Sequence, residues 1–125
     1  MLMKKRILMI DDDAHMRRMV AIYLKREPYE LVSVGSARMA LHELKKGPFD
    51  LILSDIQMPE MDGIELIKAI KSQYPQMPII ILSAFDAGKF QREMAAYEQL
   101  AILSKPFDQK SLLKLLERFL MKDDG

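Results

Sequence analysis

Five short apolar runs recur along this chain: Ile7 to Ile10, Leu31 to Val34, Leu51 to Leu53, Ile79 to Leu82 and Leu100 to Leu103. Three of them are nearly unbroken Ile and Leu, the pattern of strands buried on both faces rather than of strands with one wet side. Between the runs, apolar residues recur at helical spacing: Met16, Met19, Val20 and Tyr23; Ala37, Ala40, Leu41 and Leu44; Ile64, Ile67 and Ile70. Leu112, Leu113, Leu116, Phe119 and Leu120 repeat the pattern near the end. Each set lays one apolar stripe inward. The segment near residues 87 to 98 carries a weaker, more polar version, so five strands and five helices are expected in strict alternation.

The punctuation agrees with that count. Pro28, Gly47-Pro48, Pro59, Pro75 with Pro78, and Pro106 all fall between periodic segments, where proline interrupts neither a ladder nor a helix. Asp108 is placed to cap the last helix. Alternating strands and helices favour a parallel sheet with helices on both faces, because each crossover is right-handed and must cover a face. The expected fold class is therefore α/β, a doubly wound five-stranded parallel sheet with five helices.

At 125 residues the chain has room for one domain, expected over residues 1–125 with no output domain. Its net charge of +1 gives no global attraction to nucleic acid or to an anionic membrane. The absence of cysteine removes disulfides and thiolate metal sites together. The apolar run before the aspartates is too short for a signal peptide or a membrane span, so a soluble, cytoplasmic protein is expected. The eleven methionines are expected to fill core gaps, among them Met9, Met16, Met19, Met39 and Met94. His15 and His42 lack a partner at metal-ligand spacing and are expected at the surface.

In doubly wound sheets, ligands bind outside the carboxyl ends of the strands. Those ends carry Asp11 and Asp12 after the first strand, Ser54-Asp55 after the third, Ser83 after the fourth and Ser104-Lys105-Pro106 after the fifth. Asp11, Asp12 and Asp55 should converge, and like charges so close oppose one another's ionisation unless a cation is present. Hard oxygen ligands without His or Cys suit Mg2+. A carboxylate nucleophile, a divalent ion, the Lys105 ammonium and the Ser83 hydroxyl are the parts that stabilise a phosphoryl group in transfer. Asp13, one residue further on, is expected to cap or begin the first helix. Asp62 is placed to cap the third, and Gly63 suits its tight start.

The set MIDDD, LSDIQMPEMDG, LSA and SKPF resembles, in order and spacing, the receiver domains of two-component response regulators, over nearly the whole chain and in the manner of single-domain chemotaxis regulators. The resemblance implies a flavodoxin-like receiver fold with strand order 2-1-3-4-5. It implies that Asp55 is the phosphoacceptor, taking a phosphoryl group from a sensor histidine kinase or phosphotransfer protein as an acyl phosphate. Asp12 and Asp55 would ligate Mg2+ directly, the backbone carbonyl of Gln57 would complete the protein ligands, and Asp11 would act mainly through a coordinated water. Lys105 would pair with Asp55 before transfer and with a phosphoryl oxygen afterwards, and Ser83 would move toward the phosphoryl group. The chain would promote only its own phosphorylation and dephosphorylation. It would work as a monomer or a phosphorylation-promoted dimer, meeting a downstream protein through the face of the fourth helix, fifth strand and fifth helix. Neither nucleic acid nor membrane is an expected partner.

Two departures from the family pattern bear on output. Ile102 stands where receivers usually carry Tyr or Phe, and its β-branched side chain has few rotamers and no polar tip. Glu98-Gln99 stands where a Gly-Ala pair is common, so the fourth helix and fifth strand are expected to be shaped differently. Output is then expected to run through the loop after Ser83 rather than through a ring flip. Gln57 and Phe85 flank the approach of a hydrolytic water, and an apolar Phe85 implies slow self-dephosphorylation. The competing reading is a pseudo-receiver, an interaction domain of this fold that is not regulated by phosphate. A Mg2+-dependent phosphohydrolase would need a general acid that this chain does not supply at the second position past Asp55, and a flavin module would need a Gly/Ser/Thr-rich loop after the first strand, where this chain has three aspartates.

Overall fold

The computed structural model describes residues 4–56, 63–84 and 95–121. Its strands are β1 (Lys5–Ile10), β2 (Tyr29–Val34), β3 (Leu51–Asp55), β4 (Ile79–Ser83) and β5 (Leu100–Ser104). Its helices are α1 (Ala14–Leu24), α2 (Ala37–Lys46), α3 (Gly63–Gln73) and α4 (Gln109–Leu120), the last being the fifth of the expected helices. The strands form one parallel sheet in the order β2-β1-β3-β4-β5, as the family resemblance implies.

Side chains alternate across a strand, so each central strand feeds two cores. Leu8, Ile10, Ile52, Ile79 and Ile81 pack on one face against Ala37, Ala40 and Leu44 of α2 and Leu66, Ile67 and Ile70 of α3. Ile7, Met9, Leu51, Leu53, Ile80 and Leu82 face the other way, onto Val20 and Leu24 of α1 and Leu112, Leu116 and Leu120 of α4. Burying each such side chain contributes roughly 2 kcal/mol. This two-sided burial explains why β3 and β4 are buried at every residue, whereas the edge strands β2 and β5 are partly exposed and their apolar runs are less pure.

The helix starts follow local chemistry. The Asp13 carboxylate accepts from the His15 amide at 2.9 Å and caps α1, and Asp108 accepts from the Ser111 amide at 2.8 Å and caps α4. Gly63 opens α3 where a Cβ would sit 2.6 Å from the Ile56 carbonyl oxygen, so only glycine lets the helix start against the end of β3. Asp62, its expected cap, lies outside the described residues, as does Met94.

Two expectations need correction. Met39 is not core filler but 53% exposed, because the inward stripe of α2 runs through Ala37, Ala40 and Leu44 and leaves position 39 on another side. Four helices, not five, are present among the described residues. The fourth helix, expected near residues 87 to 98, falls largely outside the described set, and its expected end at 95–98 is a turn followed by a bend. The buried Lys71 ammonium bonds the Glu98 carbonyl at 2.7 Å, and Gln99 follows with φ 55, a left-handed conformation that turns the chain into β5. His15 and His42 are exposed, as expected.

Candidate functional site

Parallel pairing puts the carboxyl ends of β1, β3, β4 and β5 along one edge, and the register brings their last residues level. Ile10 is opposite Ser54, Asp55 opposite Leu82, and Ser83 opposite Ser104. The ladders run one residue past the strands at two places. The Asp11 amide donates to the Val34 carbonyl at 3.1 Å, and the Lys105 amide donates to the Ser83 carbonyl at 2.7 Å. Asp11 and Lys105 are thus held by the neighbouring strand's backbone. The Lys105-Pro106 peptide is cis.

The acidic residues expected at these ends do converge. One carboxylate oxygen from each of Asp11, Asp12 and Asp55 lies within 4.8 Å of the other two. Lys105 reaches into the cluster, its Nζ 3.2 Å from Asp11 Oδ2 and 3.4 Å from Asp55 Oδ2. Asp11 is wholly buried, Asp55 nearly so, and Asp12 is exposed at the mouth. The Asp11 carboxylate is used on both oxygens, since Oδ1 accepts from the Asp13 amide at 2.9 Å while Oδ2 meets Lys105. Burial pushes the Asp11 carboxyl above its usual range; the Asp13 amide and Lys105 pull it back down, and the charge of Asp55 raises it further.

Ser83 is buried one residue past the partner of Asp55, beside the cluster. Ile102 is half-buried and packs against the core shared with α2 and α3. Gln57 and Phe85 lie outside the described residues. The donor set that converges is all carboxylate oxygen, with one ammonium opposite. That chemistry fits Mg2+, which takes one or two carboxylates and keeps waters, and it does not fit a metal that prefers nitrogen or sulfur.

One residue beside the site was not singled out from the sequence. Arg17 Nη1 donates to the Asp11 backbone carbonyl at 2.6 Å. A signal for it existed, because Arg17 stands three residues before the buried Val20, on the inward face of α1, whereas its neighbour Arg18 is exposed.

Comparison with known proteins converges on the same reading. A family model described as the response regulator receiver domain matches residues 7–117. The response regulator receiver protein CpdR of Brucella abortus is 35% identical over 94% of this chain and 98% of its own length. The response regulator protein FleR of Pseudomonas aeruginosa is 36% identical over 93% of this chain, which spans only 24% of that relative. Among solved structures, the Vibrio cholerae chemotaxis protein CheY4 superposes with a TM-score of 0.86 at 36% identity, covering 94% of this chain and 99% of that one. The receiver domain of the sensor histidine kinase PA1611 from Pseudomonas aeruginosa, solved with a magnesium ion coordinated in its active site cleft, gives 0.82 at 26% identity over 95% and 99% of the two chains. Among the described residues no helix is long and apolar enough to cross a membrane. Strand order, the acidic edge and the match over residues 7–117 agree, and the chain belongs to the response regulator receiver domains of two-component systems.

Proposed function

We propose that this receiver takes a phosphoryl group onto Asp55 from the phosphohistidine of a sensor histidine kinase or phosphotransfer protein, and signals by a changed affinity for a downstream protein. The observation that carries the proposal is the setting of Asp55. It is a nearly buried carboxylate 3.4 Å from the Lys105 ammonium and crowded by two further carboxylates, a concentration of charge that packing alone does not require. Attack of an Asp55 oxygen on phosphorus forms an O–P bond as the N–P bond breaks, and the electron pair leaves on the imidazole nitrogen. Lys105 meets the charge gathering on the phosphoryl oxygens. Ser83, at the end of the adjacent strand, offers a hydroxyl to one of them. Asp12 and Asp55 would hold Mg2+ together with the Gln57 backbone carbonyl, and Asp11 would hold a water of its shell. When bound, the ion neutralises carboxylate and phosphoryl charge as a Lewis acid.

On this reading the chain is not an enzyme toward other molecules; it promotes only its own phosphorylation and the hydrolysis of its own acyl phosphate, in the cytoplasm. Ile102 already packs into the core and has no ring to swing, so output passes through the loop after Ser83 to the face of the fourth expected helix, β5 and α4. The test is incubation with acetyl phosphate and Mg2+, read by intact mass. Wild-type protein gains one phosphoryl group, and chelation or Asp55→Ala removes the gain. Unmodified wild type, or equal labelling of Asp55→Ala, rejects the reading.

A further inference from the structure

The chain leaves the sheet at Asp11. Its amide is still bonded to Val34 of β2, but β1 and β2 end at Ile10 and Val34, and among the described residues no backbone amide pairs with the Asp11 carbonyl. Arg17 fills that place from α1, at 2.6 Å and with a full positive charge. The Asp11 carbonyl and the Asp12 amide belong to one planar peptide unit. Holding the carbonyl therefore sets the rotation of the whole plane and the direction in which the Asp12 side chain leaves the backbone. Asp12 is the exposed member of the acidic cluster, the one the core does not hold in place.

The space for this contact comes from a third element. Gly35, between β2 and α2, lies against the guanidinium, and a Cβ there would stand 3.3 Å from Arg17 Nη1. Arg17 thus ties α1, the end of β1 and the β2–α2 loop around one peptide bond.

We infer that Arg17 is a positioning residue for the cation and phosphoryl site: its bond to the Asp11 carbonyl orients the Asp11–Asp12 peptide so that the Asp12 carboxylate faces Asp55. This rests on the function proposed above. Two effects of Arg17 on Mg2+ affinity have opposite signs. As a nearby positive charge it repels the ion, so its removal would tighten binding. As a clamp on the peptide it aligns a ligand, so its removal weakens binding, and loss of such outer contacts costs about 10-fold or more in metal affinity. The clamp is expected to win because the guanidinium charge is partly exposed and screened, while the bond acts on the ligand's own backbone.

The experiment is calorimetric titration of the wild-type chain, Arg17→Met, Arg17→Lys and Gly35→Ala with Mg2+ alone, alongside amide exchange at Asp11 and Asp13. Arg17→Met is expected to bind Mg2+ about 10-fold more weakly and to exchange the Asp13 amide faster. Arg17→Lys keeps the charge and one donor and should recover part of the affinity, and Gly35→Ala should show a smaller loss in the same direction. Unchanged or tighter binding in Arg17→Met, with Mg2+ still bound by wild type, overturns the inference and leaves the phosphoacceptor reading standing. A wild-type chain that binds no Mg2+ overturns both. If Arg17→Met does not fold, Gly35→Ala decides alone: unaltered affinity there rejects the positioning role.

Discussion

At the amino end of the sheet, Lys71 points its ammonium at the carbonyls of Pro75, Met77 and Glu98, at 3.4, 2.7 and 2.7 Å. Near the same end Arg6 bonds Glu30 and the Pro48 carbonyl and stacks 4.4 Å from the centre of the Phe49 ring. At the carboxyl end, three carboxylates converge and the Lys105 ammonium pairs with two of them, Asp11 and Asp55. Both ends bury charge, but the first surrounds each cation with acceptors from its own chain and the second leaves negative charge in excess. Charge that serves the fold is met where it stands by acceptors of the same chain. Charge left over points to a ligand that brings the opposite sign.

The contrast makes its largest prediction at Lys71. Lys71→Met leaves three carbonyls without their donor and should lower the unfolding free energy by about 2 kcal/mol, measured by urea denaturation. Burial holds the Lys71 ammonium below its usual range, partly offset by Glu98. In the window between that folded value and the unfolded one the unfolded chain binds more protons, so this group makes stability rise with pH. The gap between wild type and Lys71→Met should therefore widen as pH is raised toward the range of an exposed lysine.

A smaller effect of opposite sign is expected at the other end. Asp12→Asn relieves repulsion in the acidic cluster and, with Mg2+ absent, should raise stability by about 1 kcal/mol. The same variant should lose most of the stabilisation that Mg2+ confers on wild type, which is about 1.4 kcal/mol at tenfold excess over Kd. If Asp12→Asn destabilised the metal-free protein as much as Lys71→Met, the two ends would not differ in kind.

The smallest effect separates a structural carboxylate from the functional ones on the same edge. The Ser111 amide draws the exposed Asp108 carboxyl below its usual range. Its contribution to stability is present above the unfolded carboxylate range and is lost as pH falls through the folded value. Asp108→Asn, still able to cap, should match wild type at acid pH and fall slightly below it at neutral pH in thermal melts.

Much of this could be read in the chain itself. The pure Ile and Leu runs of β3 and β4 announced strands buried on both faces, and Asp13 and Asp108 announced their helices, because each signal is local. The carboxyl-end rule then grouped Asp11, Asp12, Asp55, Ser83 and Lys105 without knowledge of register. What could not be read depends on contacts distant in sequence. Lys71 looked like any helical lysine until Glu98, far along the chain, proved to be one of its acceptors. Arg17 differed from Arg18 only by the face it occupied. Met39 misled because apolar character alone does not say which side of α2 a residue takes, and strand order came from family resemblance rather than from periodicity.

Asp11 and Lys105 each sit one residue past a strand yet remain bonded to the neighbouring strand's last carbonyl. Their backbone freedom was lost when the sheet zipped, together with that of the core. A ligand arriving at this edge meets two groups that are already still, so little ordering entropy opposes its capture there. Residues on ordinary loops would have to be stilled at the moment of binding; here the sheet has done it in advance.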